Sequence, residues 1–393
     1  MPLGLYISVP FCKTKCSYCN FASDVFSRTV FHNYVGRVCG EIEHAAETAD
    51  HMGGLLDRTV DSVYFGGGTP TLLDVIELEG IFVTIRQNFE VLESTEITVE
   101  CAPGTLNGSV IETLQRCGVN RVSLGVQSFD DKESASVGRV HKRSIVLDDV
   151  ARFRSAGIAN INVDLIAGLP HQSRETWEAS LHQLISLDVP HASIYMLEVD
   201  EDSRLGRELL AGGQKYHAHF VPDEDLTADL YEIAGERLNA TGIRQYEISN
   251  FSRFGYESIH NLKYWTRQPY LGFGVDAHSM LPSAATGSAV RFSNPDSLEK
   301  YLSGTAQECT VVFAEDALQE AFFLGLRLNK GVDLRTLRDE FGENQVGAYN
   351  EVISELTNAG LIEKEVATIR LTAKGRMLSN EVFERFISVD LAV

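Results

Sequence analysis

Short runs of apolar and β-branched residues alternate with amphipathic segments through the first half of the chain. Six of the runs predict strands, and the segments between them have the 3.6-residue period of helices. Parallel strands require such crossover segments, so the pattern predicts an α/β fold built as a partial (β/α)6 barrel. The predicted strands are Leu5–Val9, Asp61–Phe65, Glu96–Glu100, Arg121–Gly125, Ile161–Leu165 and Ser193–Leu197, and the predicted helices cover 31–47, 74–88, 108–117, 143–156 and 174–187.

A change of rhythm near residues 200–225 divides the chain into three predicted regions. Residues 1–210 form the barrel, 211–310 form a mixed extension, and 311–393 form a winged-helix-like C-terminal domain. The extension contains a predicted helix at 226–240 and the strand-like run Gln245–Phe251. The C-terminal prediction follows from an order of helices, two apolar strands and a last helix. Its helices are placed at 315–327, 333–340, 346–359 and 375–387, with the strand pair at 361–372.

The charge balance excludes some classes of partner. The 393 residues include 34 basic and 55 acidic side chains, which gives a formal charge of −21. Such a surface repels nucleic acid and anionic lipid, so we expect no nucleic-acid partner. No apolar run has the length of a membrane span, and the first residues do not resemble a secretory signal. We therefore expect a cytoplasmic protein that reaches a membrane only through a partner.

Three of the seven cysteines crowd into a short segment after the first predicted strand. Cys12, Cys16 and Cys19 form the pattern C-x3-C-x2-C. Three thiolates on one loop suit a 4Fe–4S cluster, because they bind three irons and leave the fourth open. A zinc site with a distant fourth ligand, or a chance cluster, remains the alternative at this point. The isolated cysteines are predicted to be small buried apolar side chains: Cys39, Cys101, Cys117 and Cys309.

Polar and glycine-rich segments follow the other predicted strands, where α/β folds place their sites. The run Gly66–Gly68 allows a ligand to approach the backbone because these residues have no Cβ, and Thr69 follows it. Glu100 ends the third strand, where its carboxylate suits a ribose hydroxyl or a cationic ligand. Asp164 lies in an apolar strand and therefore needs a partner.

Several motifs in one order resemble a known family. The segments YISVPFCKTKCSYCNF, YFGGGTPT, SLGVQSFDD, GRVH, VDLIAGLP and HNLKYW resemble the radical S-adenosylmethionine (SAM) superfamily. Within it, they resemble the branch of oxygen-independent coproporphyrinogen III oxidases and HemW haem chaperones. The resemblance implies a 4Fe–4S cluster on Cys12, Cys16 and Cys19, with SAM bound at its open iron. It also implies that the SAM contacts are Tyr6, Tyr18, Gly67, Gly68, Thr69, Glu100, Gln127, Arg139 and Asp164.

Two details favour the chaperone side of this branch. The oxidase pattern has a further cysteine at the position of Phe21, and it has a longer segment before the cluster motif. The motif HNLKYW resembles the chaperone signature and implies haem contacts by His260, Tyr264 and Trp265. We therefore expect a haem chaperone that lacks coproporphyrinogen III oxidase activity, with an oxidase-type radical SAM decarboxylase as the alternative.

The resemblance also implies partners. Haem is the cargo, and haem-acceptor proteins such as membrane-associated respiratory proteins would receive it, with bacterioferritin-like proteins as donors. A flavodoxin or ferredoxin type protein would reduce the cluster. An alternative of another class is a zinc- or cluster-bearing winged-helix regulator that contacts DNA. The predicted helix 346–359 counts against it, because it contains Glu351 and Glu355 but no Lys or Arg.

Overall fold

The strands of the first half form a parallel sheet with the predicted order. A computed structural model describes residues 1–283 and 289–387. Each strand pairs in parallel with the next one, and their centres are almost fully buried. This arrangement confirms the partial barrel. The strands are β1 (Leu3–Val9), β2 (Thr59–Gly67), β3 (Glu90–Cys101), β4 (Arg121–Gln127), β5 (Asn160–Ala167) and β6 (His191–Met196).

Amphipathic helices connect these strands and start at polar caps. Asp74 and Ser173 accept hydrogen bonds from backbone N–H groups in the first turns of α3 and α7, which satisfies donors that the helix itself cannot pair. The predicted helix 31–47 is two helices, because His44 departs from helical dihedral angles. The helices are α1 (Phe31–Glu43), α2 (Ala45–His51), α3 (Val75–Asn88), α4 (Gly108–Arg116), α5 (Asp131–Ser136), α6 (Arg143–Ser155) and α7 (Arg174–Ser186).

The middle region extends the sheet at both edges. Strand β9 pairs in parallel with β1, and β10, β11 and β12 continue antiparallel, while β8 and β7 continue beyond β6. Within the described residues the sheet therefore has twelve strands and stays open. The elements are α8 (Arg204–Ala211), α9 (Glu224–Ala240), β7 (Arg244–Gln245), β8 (Asn250–Ser252), α10 (Ile259–Trp265), β9 (Tyr270–Phe273), β10 (His278–Pro282), β11 (Ala289–Ser293), α11 (Leu298–Leu302) and β12 (Glu308–Val312).

The strand predicted over Gln245–Phe251 is interrupted in the structure. The backbone N–H of Tyr246 donates to the carbonyl of Asn250 at 3.0 Å, which closes a turn between β7 and β8. Ile248 leaves the sheet at this turn and packs into the C-terminal core. Glu247 is fully buried there and lies 3.7 Å from the Arg327 guanidinium. A tertiary contact has thus overridden the local strand pattern.

The C-terminal region is winged-helix-like, as predicted. In its described part, β13, β15 and β14 form a small antiparallel sheet beside the helices. The predicted helix 346–359 is two helices, and the last helix breaks at Leu378. The elements are α12 (Ala314–Leu326), β13 (Val332–Asp333), α13 (Leu334–Phe341), α14 (Glu343–Gly347), α15 (Asn350–Asn358), β14 (Ile362–Glu365), β15 (Thr368–Leu371), α16 (Ala373–Met377) and α17 (Ser379–Ile387).

The C-terminal region has its own core, and a buried ionic contact joins it to the extension. Glu320 on α12 lies 3.2 Å from Arg267 and 2.6 Å from Arg291, and only Arg291 is substantially exposed. None of the described helices is both long and apolar enough to cross a membrane. The boundaries 1–210, 211–310 and 311–393 remain a prediction.

We expect Phe322→Ala to destabilise the C-terminal core. The Phe322 side chain is fully buried, and its ring centroid lies 4.6 Å from that of Tyr349 and 4.8 Å from that of Phe386. The cavity left by the truncation should lower the free energy of unfolding by about 3–5 kcal/mol. Urea denaturation measures the change. The control Phe254→Ala removes a side chain that is 99% exposed and should change little; an equal loss in both variants contradicts the prediction.

Candidate functional site

A large cavity lies at the carboxyl ends of the parallel strands. Its volume of about 970 Å³ lies in the range of small-molecule and cofactor sites. The three cysteines of the C-x3-C-x2-C loop line it, together with residues from the ends of β2 to β5. We call it the cluster cavity. Of the residues implied by the resemblance, it is lined by Cys12, Cys16, Cys19, Tyr18, Gly67, Gly68, Thr69, Glu100, Gln127, Arg139 and Asp164.

The cysteine loop is anchored at its base. The Phe11 ring is fully buried and stacks on Phe31 with the centroids 3.7 Å apart. The backbone N–H of Cys12 donates to the carbonyl of Asp24 at 3.0 Å, which closes the base of the loop. Lys15 donates across the loop to the carbonyl of Phe21 at 2.7 Å. These contacts fix the positions of the thiols without using the sulfur atoms.

The donor set suits an iron–sulfur cluster. The three cysteine side chains of the loop line the same cavity. In a 4Fe–4S cubane each thiolate binds a different iron, so three thiols bind three irons and leave the fourth open. The three thiols on one cavity wall therefore fit a 4Fe–4S cluster.

Arg139 and Gln127 place polar atoms in the cavity that the described residues do not pair. The Arg139 Nη1 lies 3.6 Å from the Cys16 Sγ, and its Nη2 donates to the Gly125 carbonyl. Within the described chain, Arg139 Nε and Gln127 Oε1 are buried without a hydrogen-bond partner. Gln127 also has a φ of 70°, which is strained for a residue with a Cβ. Unpaired buried polar atoms are costly, so they indicate a polar ligand.

The glycine segment after β2 lies against the base of the cysteine loop. A Cβ on Gly68 would lie 2.7 Å from the Phe11 carbonyl oxygen, so only glycine fits. The N–H groups of Gly68 and Thr69 donate to the carbonyls of Val9 and Phe11 at 2.8 and 2.7 Å. These two donors are occupied, so backbone hydrogen bonds to the amino group of a ligand fall to carbonyl oxygens, which accept from its N–H groups.

Two half-buried carboxyl groups, Glu100 and Asp164, line the cavity at the ends of β3 and β5. Tyr64 donates to Glu100 Oε1 at 2.8 Å, and Asp164 accepts from Ser123 at 3.0 Å and from Asn162 at 2.7 Å. Burial raises the pKa of Glu100 to about 7, with the Asp164 charge adding to the effect. Burial also raises the pKa of Asp164. Both groups therefore gain from a cationic ligand.

Several residues of this part of the cavity were not predicted from the sequence. Tyr64, Ser123 and Asn162 line the cavity beside the carboxyl groups. A pattern that could have indicated Ser123 and Asn162 is present, because they lie two residues from Gly125 and Asp164 along their strands, and side chains two apart face the same side of a strand. The C-terminal region also contributes residues to the lining of the cavity, and no local sequence pattern predicted them. They are Arg327, Arg376, Met377, Leu378, Ser379, Asn380 and Glu381.

Tyr6, His260, Tyr264 and Trp265 do not line the cluster cavity, although Asn261 of the HNLKYW motif does. Tyr6 and Tyr264 line a neighbouring, smaller cavity. His260 is 1% exposed, and burial together with the Lys263 and Arg121 charges lowers its pKa to about 3. Trp265 packs under the Arg327 guanidinium at 4.2 Å, facing the C-terminal region. The ligand roles of these residues stay predictions.

Comparisons with known proteins identify two families along the chain. The Radical SAM superfamily matches residues 6–184, and the HemN C-terminal domain matches residues 313–378. The superfamily implies a 4Fe–4S cluster and SAM, which the cavity fits. The solved structure of coproporphyrinogen III oxidase (HemN) from Escherichia coli aligns with a TM-score of 0.84 over 98% of this chain and 90% of that chain. Its sequence identity is 23%, so this likeness shows the fold.

Curated relatives match over nearly the full length. Heme chaperone HemW of Bacillus subtilis (strain 168) is 34% identical over 97% of this chain and 98% of the relative. Heme chaperone HemW of Lactococcus lactis is 32% identical over 99% and 98%. The mitochondrial Radical S-adenosyl methionine domain-containing protein 1 of Mus musculus is 32% identical over 95% and 84%. The chain therefore belongs to the HemW family of the radical SAM superfamily.

Proposed function

We propose that this protein is a haem chaperone, which binds haem and passes it to haem-requiring proteins. The observation that carries the proposal is the near full-length similarity to proteins named heme chaperone HemW, in a chain whose cavity retains the three thiols. Two sequence features support the same conclusion. The HNLKYW motif resembles the chaperone signature, and Phe21 stands where the oxidase pattern has a cysteine.

The thiolates of Cys12, Cys16 and Cys19 hold the 4Fe–4S cluster in this proposal. When bound, the cluster supplies an electron and an open iron that the amino and carboxylate groups of SAM can chelate. Arg139 stands beside Cys16, where its positive charge offsets the negative charge of the thiolates. Tyr18 covers this part of the cavity and limits access of water.

SAM would bind in the same cavity, beside the cluster. The carbonyl oxygens of Gly67 and Gly68 and the hydroxyl of Thr69 would accept hydrogen bonds from its amino group. Glu100 and Asp164 would pair with its cationic part or its ribose hydroxyls, and Gln127 would pair its Oε1 with the ligand. This assignment leaves Tyr6 out of the pocket, because Tyr6 lines the neighbouring cavity.

We propose that this chain has no coproporphyrinogen III oxidase activity. Phe21 stands where the oxidase pattern has a cysteine, and its side chain is 65% exposed at the edge of the cluster cavity. The acceptors are haem-requiring proteins such as membrane-associated respiratory proteins, bacterioferritin-like proteins act as donors, and a flavodoxin or ferredoxin type protein is the reductant. The charge of −21 keeps the chain from anionic lipid unless an acceptor recruits it from the cytoplasm.

Removing one thiol of the loop should prevent cluster assembly. After anaerobic reconstitution we expect the wild-type chain to hold about four irons, and Cys12→Ala, Cys16→Ala or Cys19→Ala to hold less than about one. Iron and sulfide analysis measures the difference. Cys309→Ala is the control. The prediction that Cys309 is buried was wrong, because this cysteine is exposed on β12 and does not line the cavity. Full iron content in Cys16→Ala is the result that contradicts the assignment.

The affinity for SAM should rise with pH around neutrality. The Glu100 pKa of about 7 means that this carboxyl is neutral below pH 7 and anionic above it. Because SAM is cationic, the dissociation constant should fall about tenfold between pH 6 and pH 8. Equilibrium binding to the reconstituted protein measures it.

Glu100→Gln should flatten this pH profile and weaken binding at pH 8. Glu90→Gln is the matched control, since Glu90 is exposed at the opposite end of the same strand. A pH profile that Glu100→Gln leaves unchanged excludes the proposed role of this carboxyl.

The purified chain should bind haem and should not convert coproporphyrinogen III. We expect a shifted Soret band on addition of haem, and transfer of the haem to an apo-acceptor. With SAM and a reductant, we expect no loss of the propionate carboxylates of coproporphyrinogen III, whereas a coproporphyrinogen III oxidase assayed in parallel converts it. Turnover by this chain would favour the decarboxylase alternative.

A further inference from the structure

A second cavity, of about 300 Å³, lies beside the cluster cavity. We call it the side cavity. It shares Gly67 and Phe21 with the cluster cavity, so the two are neighbours across the end of β2. Aromatic side chains dominate its lining, which suits a flat ligand with an extended π-system. The lining residues are Tyr6, Ser8, Phe21, Ala22, Gly67, Tyr264, Tyr270, Asp276 and His278.

His260, the histidine of the HNLKYW motif, is poorly placed to bind iron. Its Nδ1 hydrogen-bonds with the Ser62 hydroxyl at 3.0 Å, and its Nε2 hydrogen-bonds with the Tyr264 hydroxyl at 2.8 Å. Both ring nitrogens are therefore occupied, and the side chain is 1% exposed. An iron ligand needs one ring nitrogen with a free lone pair that points to an accessible site.

His278, in contrast, is accessible to a ligand. It begins β10 at the rim of the side cavity, and its side chain is 68% exposed. Its Nε2 lies 3.8 Å from the Asp276 carboxylate, which is beyond hydrogen-bond distance. A carboxylate beside an imidazole can orient the ring and increase its basicity toward a metal, while the other nitrogen stays available.

Asp276 adopts a conformation that non-glycine residues rarely take. Its φ of 55° lies in the left-handed region, and the loop is held there by a hydrogen bond from the Asp276 N–H to the Pro295 carbonyl at 2.9 Å. Such conformations cost free energy and recur at functional sites. Here the conformation puts the carboxylate next to His278.

Phe21 supplies a large exposed aromatic surface at the same rim. Its side chain is 65% exposed although it lines both cavities. Tyr264 and Tyr270 form the inner part of the side cavity, with their ring centroids 4.7 Å apart in an edge-to-face contact. An aromatic floor, an exposed aromatic rim and an exposed imidazole are together the elements of a site for a metalloporphyrin.

We propose that His278 is the axial ligand of haem, with the porphyrin lying over the side cavity between Phe21 and the Tyr264–Tyr270 pair. This inference rests on the proposed haem-chaperone function. His260 is then a positioning residue, which holds the Tyr264 hydroxyl and thereby orients its ring. A porphyrin bound at this open rim leaves the cluster cavity to SAM and stays accessible to an acceptor protein.

The test uses the full chain after anaerobic reconstitution of the cluster, titrated with ferric haem. Absorption and electron paramagnetic resonance spectra report histidine ligation, and the titration gives the dissociation constant. We expect His278→Ala to lose the histidine-ligation signature and to bind haem at least about tenfold more weakly. Added imidazole should restore the signature. His260→Ala should keep the ligation signature but bind haem more weakly, because the Tyr264 hydroxyl loses its hydrogen-bond partner. His182→Ala, which removes an exposed histidine on α7, should behave as wild type.

The outcomes separate this inference from the proposed function. If wild type binds haem and His278→Ala retains both the signature and the affinity within about twofold, haem is ligated elsewhere and the inference is wrong, while the chaperone function stands. Failure of imidazole to restore the signature in His278→Ala also overturns ligation by this residue. If the wild-type chain binds no haem, the proposed function itself fails.

Discussion

The close contact between the glycine segment and the base of the cysteine loop determines the geometry of the whole site. The N–H groups of Gly68 and Thr69 donate to the carbonyls of Val9 and Phe11, and no Cβ fits at Gly68. This contact places the end of β2 directly against the start of the loop. Three thiols and a ligand-binding backbone segment consequently share one cavity wall, although about fifty residues separate them along the chain.

The C-terminal region closes the far side of that cavity. Arg327 lies 3.7 Å from the buried Glu247 and stacks on Trp265, so one arginine holds the region to both the turn after β7 and the end of α10. The first residues of α17 then reach the cavity. The HNLKYW segment thus contacts two parts of the structure: Trp265 faces the C-terminal region, and Tyr264 lines the side cavity. Packing explains part of this motif without any ligand.

Much of the fold followed from local pattern. Five of the six central strands and most of their helices were predicted within a few residues, because buried parallel strands and amphipathic helices each have a distinct period. Strand β3 begins six residues before its predicted start, and the short helix α5 was not predicted. The interruption at Ile248 was not predictable, since its cause is the core of a different part of the chain. No local sequence pattern predicted the pairing of β9 with β1. A strand added at the edge of a sheet pairs with whichever strand is left unpaired there, and this depends on the rest of the fold.

The sequence by itself determined the cysteine spacing, the glycine segment, the order of the β/α units and the family. These features belong mostly to short segments, in which the number of residues between two positions limits the distance between them in space. Only the tertiary structure decided which side chains remain accessible. In the structure, His260 is buried between two hydroxyl groups and His278 is exposed. Tyr6 and Glu100 line different cavities. Accessibility depends on what packs against a residue from distant parts of the chain, and a motif does not encode that.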